Sequence, residues 1–363
     1  MCLAALLYGQ VWEFLSGHPE RSRRMDPLFV GFTAFRVCLY MNNYWQEKLK
    51  IKNLEFSRFI SGPLDGITDS PFRKLVREFS PENLLYTEMR HVACVANAKS
   101  SHKTLNFEVF ERPLNYQVAA NSTVFIKSAC DKILEKGVDL IDLNICCPAR
   151  NFTSSGGGSS LMADTPRLKE IVTELRNALP NTPFTVKIRA GFKEKNAVDV
   201  AKMLQDCGVD ALAIHPRLRD QYFEGQPDYD LAAQVKRALN IPVILSGNVV
   251  NFKTAKMAYE RTGVDGYLIG RGIWGRPWKL KEMDMHSQGL DYDISHNEII
   301  TIAIKHFEYM LAYYEGHGVY CFRKHLPFYL RGFNDASALR QHLVSLKSPE
   351  EVRQELFKLL DRF

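Results

Sequence analysis

Short apolar runs rich in β-branched residues alternate with stretches of helical period from about Phe56 to Met283. Eight runs stand out: Arg58–Pro63, Leu84–Glu88, Leu114–Ala119, Leu140–Ile145, Phe184–Arg189, Ala211–Pro216, Pro242–Gly247 and Gly266–Gly270. Each reads as a buried strand. Between them, Pro71–Phe79, Val124–Lys136, Pro166–Leu179, Ala197–Cys207, Leu231–Leu239 and Lys253–Arg261 read as helices. In the fourth of these, Ala197, Val200, Ala201 and Leu204 recur at i, i+3, i+4 and i+7, the stripe of a helix with one buried face. Strands separated by helices pair in parallel, because parallel neighbours need a crossover. Eight such units over roughly 230 residues predict an α/β fold, the (β/α)8 TIM barrel, which takes ~250 residues. Gly-Val-Asp stands just before three of the strands, at Gly137–Asp139, Gly208–Asp210 and Gly263–Asp265, with the glycine ending a helix each time. An open doubly wound sheet is the alternative, but no G-x-G-x-x-G follows the first strand.

From about Ser295 the pattern is helical only. Ile299, Ile302, Ala303 and His306 begin an amphipathic face. Phe322–Leu330, Ala336–Leu346 and Pro349–Leu360 follow, with Ser348 and Glu351 spaced as a capping box. This predicts a small C-terminal helical-bundle domain. The expected organisation is an N-terminal extension over residues 1–53, a barrel over 54–290 and a helical domain over 291–363. The extension is weakly patterned, carries no evident chemistry and reads as a loosely ordered terminus.

Composition narrows the class. The chain has 363 residues, a net charge of +6, 46% hydrophobic and 24% charged residues, too much apolar material for a disordered protein. No apolar run reaches the ~18–20 residues of a membrane-spanning helix. The opening MCLAALLYGQ has no basic residue before its apolar run and does not read as a signal peptide. Eight scattered cysteines form no C-x-x-C pair, so a reducing, cytoplasmic setting is expected. The charge permits an anionic partner such as RNA without demanding one.

In a barrel of this kind the site lies at the C-terminal ends of the strands. There the sequence places Gln117, Asn144, Lys187 with Arg189, His215 with Arg217, Ser246-Gly247-Asn248, and Gly270-Arg271-Gly272. A Gly-Arg-Gly turn offers backbone N–H groups and a guanidinium to a phosphate. Gly247 lets the backbone come close. A lysine inside a strand, as at Lys187, needs an anionic partner, which is a carboxylate or a cofactor that gains negative charge on reduction, such as a flavin. Gln117 and Asn144 suit the edge of a planar heterocycle, or ordinary structural hydrogen bonds. Cys147 precedes Pro148 and a loop containing Gly156-Gly157-Gly158, and no activating His or Asp spacing accompanies it. It reads as an acid rather than a nucleophile. His215 contacts cofactor or substrate, or is structural; no second ligand clusters with it, so no metal is expected.

Together these residues resemble the tRNA-dihydrouridine synthase family, nearest its bacterial B-type members, from about Phe56 to Phe363. The resemblance rests on Asp142-Leu143-Asn144-Ile145-Cys146-Cys147-Pro148, on His215-Pro216-Arg217-Leu218-Arg219, and on Ile269-Gly270-Arg271-Gly272-Ile273-Trp274-Gly275-Arg276-Pro277-Trp278. Phe322-Arg323-Lys324-His325-Leu326 and Tyr329-Leu330-Arg331-Gly332-Phe333 resemble its RNA-binding domain. The resemblance implies an FMN enzyme that reduces uridine in tRNA to 5,6-dihydrouridine with NADPH or NADH. It implies that Gly62, Pro63, Leu64, Gln117, Lys187, His215, Ser246, Gly247, Asn248, Gly270 and Arg271 bind FMN. Cys147 would be the proton donor, Asn144 and Arg217 would face flavin and base, and Arg323, Lys324 and Arg331 would meet tRNA. The chain is expected to act as a monomer without metal or membrane. Gly62-Pro63-Leu64 replaces A-P-M, Cys146 replaces a Gly, Ser246-Gly247-Asn248 replaces N-G-D, and Gly158-Ser159-Ser160 replaces a G-A-A-like stretch. Two other readings stand beside this one: an FMN barrel acting on a free pyrimidine, and a decayed module that holds tRNA without reducing it.

Overall fold

The computed structural model describes residues 44–99, 102–105, 107–360 and 362. Most of the weakly patterned N-terminal extension lies outside the described residues. Tyr44–Gln46 is a helical turn outside the unit Glu47–Phe363, which holds all the elements that follow.

Eight strands form the barrel: β1 (Phe59–Ser61), β2 (Leu85–Tyr86), β3 (Leu114–Ala119), β4 (Leu140–Ile145), β5 (Phe184–Gly191), β6 (Ala211–Leu218), β7 (Val243–Ser246) and β8 (Gly266–Ile269). All paired strands run parallel, and β8 pairs with β1 in the register Tyr267↔Phe59. β1 and β2 share no ladder; Ser61 N–H donates to the carbonyl of Leu84, just before β2, at 3.0 Å, and the barrel is nearly closed. The strand interiors are buried on both faces, which is why they appear in sequence as unbroken apolar runs.

A helix follows every strand: α1 (Ser70–Phe79), α2 (Val92–Asn97), α3 (Ile126–Glu135), α4 (Thr165–Ala178), α5 (Ala197–Asp206), α6 (Tyr229–Ala238), α7 (Phe252–Thr262) and α8 (Lys279–Ser287). Two of these, α2 and α8, give no clear signal in the sequence. The first has six residues, too few to show a period. The second buries Lys279, Leu280 and Met283 rather than a simple apolar stripe.

The Gly-Val-Asp repeats sit at the N-terminal end of the barrel. Gly137, Gly208 and Gly263 adopt φ of +78°, +82° and +65°, where a side chain is strained. The aspartate that follows each then caps a neighbouring strand. Asp139, Asp210 and Asp265 accept the N–H of Leu114, Phe184 and Val243, each at 2.8 Å. They are paired in turn with Arg112, Arg176 and Lys236.

A hairpin, Leu49–Ile51 with Leu54–Phe56, packs Leu49, Ile51 and Phe56 into the same end of the barrel, against Leu140, Ala211, Ile244 and Leu268. The boundary expected near Asn53 therefore falls in the turn of a hairpin that plugs the barrel. Alternation over three residues is too short to be read as a strand.

The C-terminal helices are α9 (His296–Tyr314), α10 (Gly318–Phe322), α11 (Leu326–Tyr329), α12 (Ala336–Ser345) and α13 (Pro349–Leu360). The single helix expected over Phe322–Leu330 is instead two short pieces. Pro327 has no N–H to continue a ladder and sits in the first turn of α11. The box at Ser348 and Glu351 forms, with reciprocal bonds of 3.1 Å.

Helix α1 belongs to both halves. Asp69 caps it by accepting Phe72 N–H at 3.1 Å. Leu75 packs into the core of the helical domain, and Glu78 binds Lys305 and Tyr309 of α9. Its other face sends Arg73 to Glu111 at 2.7 Å, while Arg77 donates to five nearby backbone carbonyls of the barrel side. At the junction Tyr314 donates to Asp69 at 3.0 Å and Phe72 stacks on His325.

Candidate active site

A cavity of about 900 Å³ opens at the C-terminal ends of the strands. That volume suits a cofactor-sized ligand. Gly62, Pro63 and Leu64 line it beyond β1, Gln117 from β3, Asn144 and Cys147 from and beyond β4, and Lys187 from β5. His215 and Arg217 line it from β6, Ser246, Gly247 and Asn248 from and beyond β7, and Gly270 and Arg271 beyond β8.

The floor on β3 and β4 is a hydrogen-bonded ladder. Asn144 donates to Gln117 Oε1 at 2.8 Å, and Gln117 donates to Asp142 Oδ2 at 2.8 Å. Asp142 also accepts from Thr185 at 2.6 Å. Burial pushes the Asp142 carboxyl up to about 6. The ladder fixes the amide of each side chain. It also leaves the carbonyl of Asn144 pointing to the next turn, where it accepts the N–H groups of Cys146 and Cys147 at 2.9 Å each.

Cys147 is therefore held by its own backbone. Its carbonyl accepts the N–H and the hydroxyl of Ser159, both at 3.0 Å. Gly158, at φ +58°, makes this possible, because a Cβ there would lie 2.7 Å from that carbonyl. Burial pushes the Cys147 thiol up, so it stays protonated at neutral pH.

The walls carry several buried cations. Lys187 is 8% exposed, and its Nζ lies 2.8 Å from Cys146 Sγ. Among the described residues it makes no ion pair. Arg189 gives its guanidinium to the carbonyls of Cys146, Leu218 and Tyr222. Arg217, 1% exposed, bonds the carbonyls of Glu224 and Gly225 and Asn248 Oδ1. Its Nη1 also lies 3.0 Å from His215 Nε2. A guanidinium only donates, so Nε2 accepts and the imidazole proton sits on Nδ1. Burial first, then the surrounding cations, hold the His215 pKa down to about 2.

Strands β7 and β8 end side by side. Gly247 adopts φ +118°, and a Cβ there would come within 3.0 Å of the His215 ring. Glycine thus keeps a backbone cradle open beside Arg271. The guanidinium of Arg271 lies 5.1 Å from the Phe223 ring, over the same mouth.

Arg323 and Lys324 stand elsewhere. Arg323 donates to the carbonyl of Leu346 within the helical domain. Lys324 Nζ donates to the carbonyl of Gly66 at 2.5 Å and braces that domain against the β1–α1 loop. Neither lines the cavity. Arg331 does, with its guanidinium 4.3 Å above the Phe328 ring.

Asp142, Phe223, Trp274, Arg276 and Phe328 were given no role in the sequence reading of the site. Asp142 had a signal: with Asn144 it marks the polar face of an otherwise apolar strand. The aromatic residues had none. One group of potential metal donors is present among the described residues: Asp69, His306 and His325, with donor atoms within 4.8 Å of one another. It lies at the domain junction, and three donors leave a zinc tetrahedron incomplete.

A parallel barrel with a cationic, glycine-cradled cavity at its strand ends is the architecture of a barrel enzyme. The family model described as "Dihydrouridine synthase (Dus)" matches residues 59–363. The probable tRNA-dihydrouridine synthase 1 of Synechocystis sp. is 33% identical over 312 residues, covering 85% of this chain and 88% of that one. The tRNA-dihydrouridine synthase B of Pseudomonas aeruginosa is 31% identical, covering 81% and 90%. Among solved structures, an old yellow enzyme homologue from Zymomonas mobilis superposes with a TM-score of 0.51 at 13% identity, covering 68% of this chain and 94% of that one. Morphinone reductase gives 0.51 at 12% identity, covering 68% and 90%. These two likenesses are of fold. The chain belongs to the dihydrouridine synthase family.

Proposed function

We propose that this chain reduces uridine in tRNA to 5,6-dihydrouridine, with FMN as cofactor and NADPH or NADH as reductant. One observation carries the reading: a protonated thiol, an unpaired buried lysine and a glycine-lined cradle beside an arginine all face one cavity. The names of the family relatives supply tRNA as the substrate. The old yellow enzyme fold, seen in morphinone reductase with tetrahydroNAD at a TM-score of 0.50, supports flavin and nicotinamide use.

The residues fit FMN. Gly247, Asn248, Gly270 and Arg271 offer backbone N–H groups and a guanidinium to its phosphate at the end of β7 and β8, the usual phosphate position of these barrels. Gln117, Lys187 and His215 would hold the ring. FMN held there would supply hydride for C6 of the uracil, with the nicotinamide as the source of electrons. Lys187 gives the cavity floor a positive charge suited to an anionic cofactor. Neutral His215 adds no further charge and accepts from Arg217, which holds that side chain in place. Cys147 carries the proton at Sγ and delivers it to uracil C5. Asn144 fixes the turn that aims this thiol. A uridine in folded RNA reaches the cavity only by leaving its stack.

The test is direct. Purified protein is expected to be yellow and to form dihydrouridine in unmodified tRNA when given NADPH or NADH. A colourless chain that cannot be loaded with FMN would overturn the proposal. So would a yellow chain that reduces a free pyrimidine and leaves tRNA unchanged.

A further inference from the structure

At the rim of the cavity, Trp274 from the loop after β8 stacks on Phe328 of α11, with ring centroids 3.9 Å apart and planes 19° apart. Arg331 covers the Phe328 ring at 4.3 Å. Arginine, phenylalanine and tryptophan thus form one column across the barrel and the helical domain. The column is fixed from both sides. Trp274 Nε1 donates to the carbonyl of Lys324 at 3.1 Å. Gly275 takes φ +69°, and a Cβ there would strike Phe328 at 2.3 Å, so only glycine lets the rings meet. All three members of the column line the cavity, so its tryptophan end stands at the opening a nucleotide must cross.

The charges around this column are open. Arg276, Arg331 and Arg340 make no ion pair among the described residues. Burial first, and then nearby Arg276 and Arg340, lower the Arg331 pKa. Arginines left without an ion pair suit a phosphate backbone. Aromatic rings beside such charges are the platform on which single-stranded bases stack.

We infer that Trp274 is a nucleobase-stacking subsite, which receives an unstacked base of the RNA beside the one being reduced, with Arg276 and Arg331 on the adjoining phosphates. This rests on the proposed function and adds the subsite that positions the substrate. Stacking of one base contributes on the order of 1–3 kcal/mol, so its loss costs roughly tenfold or more in affinity.

The experiment measures binding of unmodified tRNA to the flavin-loaded full chain at one salt concentration. Trp274→Leu is expected to weaken binding on the order of tenfold, and Trp274→Phe to restore most of the loss. Wild-type affinity in Trp274→Leu overturns the inference. Loss of flavin from Trp274→Leu also overturns it, because the indole would then serve the cofactor. Should the leucine variant fold poorly, fluorescence decides. The signal that tRNA quenches in the wild type and not in Trp274→Phe belongs to Trp274, and equal quenching in both overturns the subsite. If the wild-type chain itself fails to bind tRNA, the proposed function falls instead.

Discussion

The two ends of the barrel treat charge in opposite ways. At the N-terminal end, Asp139, Asp210 and Asp265 each bind a strand N–H and a nearby cation. Asp210 also reaches Lys52 of the plugging hairpin at 3.3 Å. Each of these carboxylates is answered within the chain. At the C-terminal end, Lys187, Arg189 and Arg217 are buried and have no carboxylate partner among the described residues. They rest on carbonyls and a thiol sulfur. A buried cation left in this state costs stability unless something negative joins it. The closed end thus holds the fold together. The open end keeps unused interactions in store for a ligand.

Four experiments press on this contrast. Cys147→Ala should retain flavin and lose roughly 10²–10⁴ of the rate of dihydrouridine formation, the span of a general acid's contribution. A yellow variant with normal turnover would take the thiol out of the chemistry. Next, Lys187→Met should weaken flavin binding on the order of 10- to 100-fold, the value of a charge-assisted contact. The melting temperature of the flavin-free chain should not fall. A drop would mean that Lys187 is structural, like the cations of the other end.

Asp210→Ala should do the reverse: a loss of about 1–3 kcal/mol on chemical denaturation, from stranding a strand N–H and two cations, with flavin affinity kept. Equal stability would erase the distinction between the two ends. The smallest effect concerns pH. His215, held at about 2, stays neutral through the working range. Its folded value lies below the unfolded ~6.5, so its stabilising contribution is full above ~6.5 and is lost as pH falls towards 2. Flavin affinity should then show no inflection near pH 6.5 that His215→Gln removes. Such an inflection would show an exposed, titrating imidazole.

The site was partly written in the chain and partly not. Gln117, Lys187 and His215 could be read because each is a polar group set into an apolar strand, and the barrel sends strand ends to one place. The partners of Arg323 and Lys324 could not be read, because a basic pair looks the same in sequence whether it meets solvent or a backbone carbonyl. Lys324 spends its charge on Gly66, 258 positions away. Trp274 and Phe328 sit in segments without period, and nothing local says that their rings meet.

Period, strand count and turn glycines are properties of neighbouring residues, so the sequence by itself determined the barrel, its repeats and which strand ends are polar. Which cations are paired and which are open depends on partners tens to hundreds of positions apart. Only the folded chain decides that, because a charge is answered by whatever lies within a few ångströms, not by what precedes it in the chain.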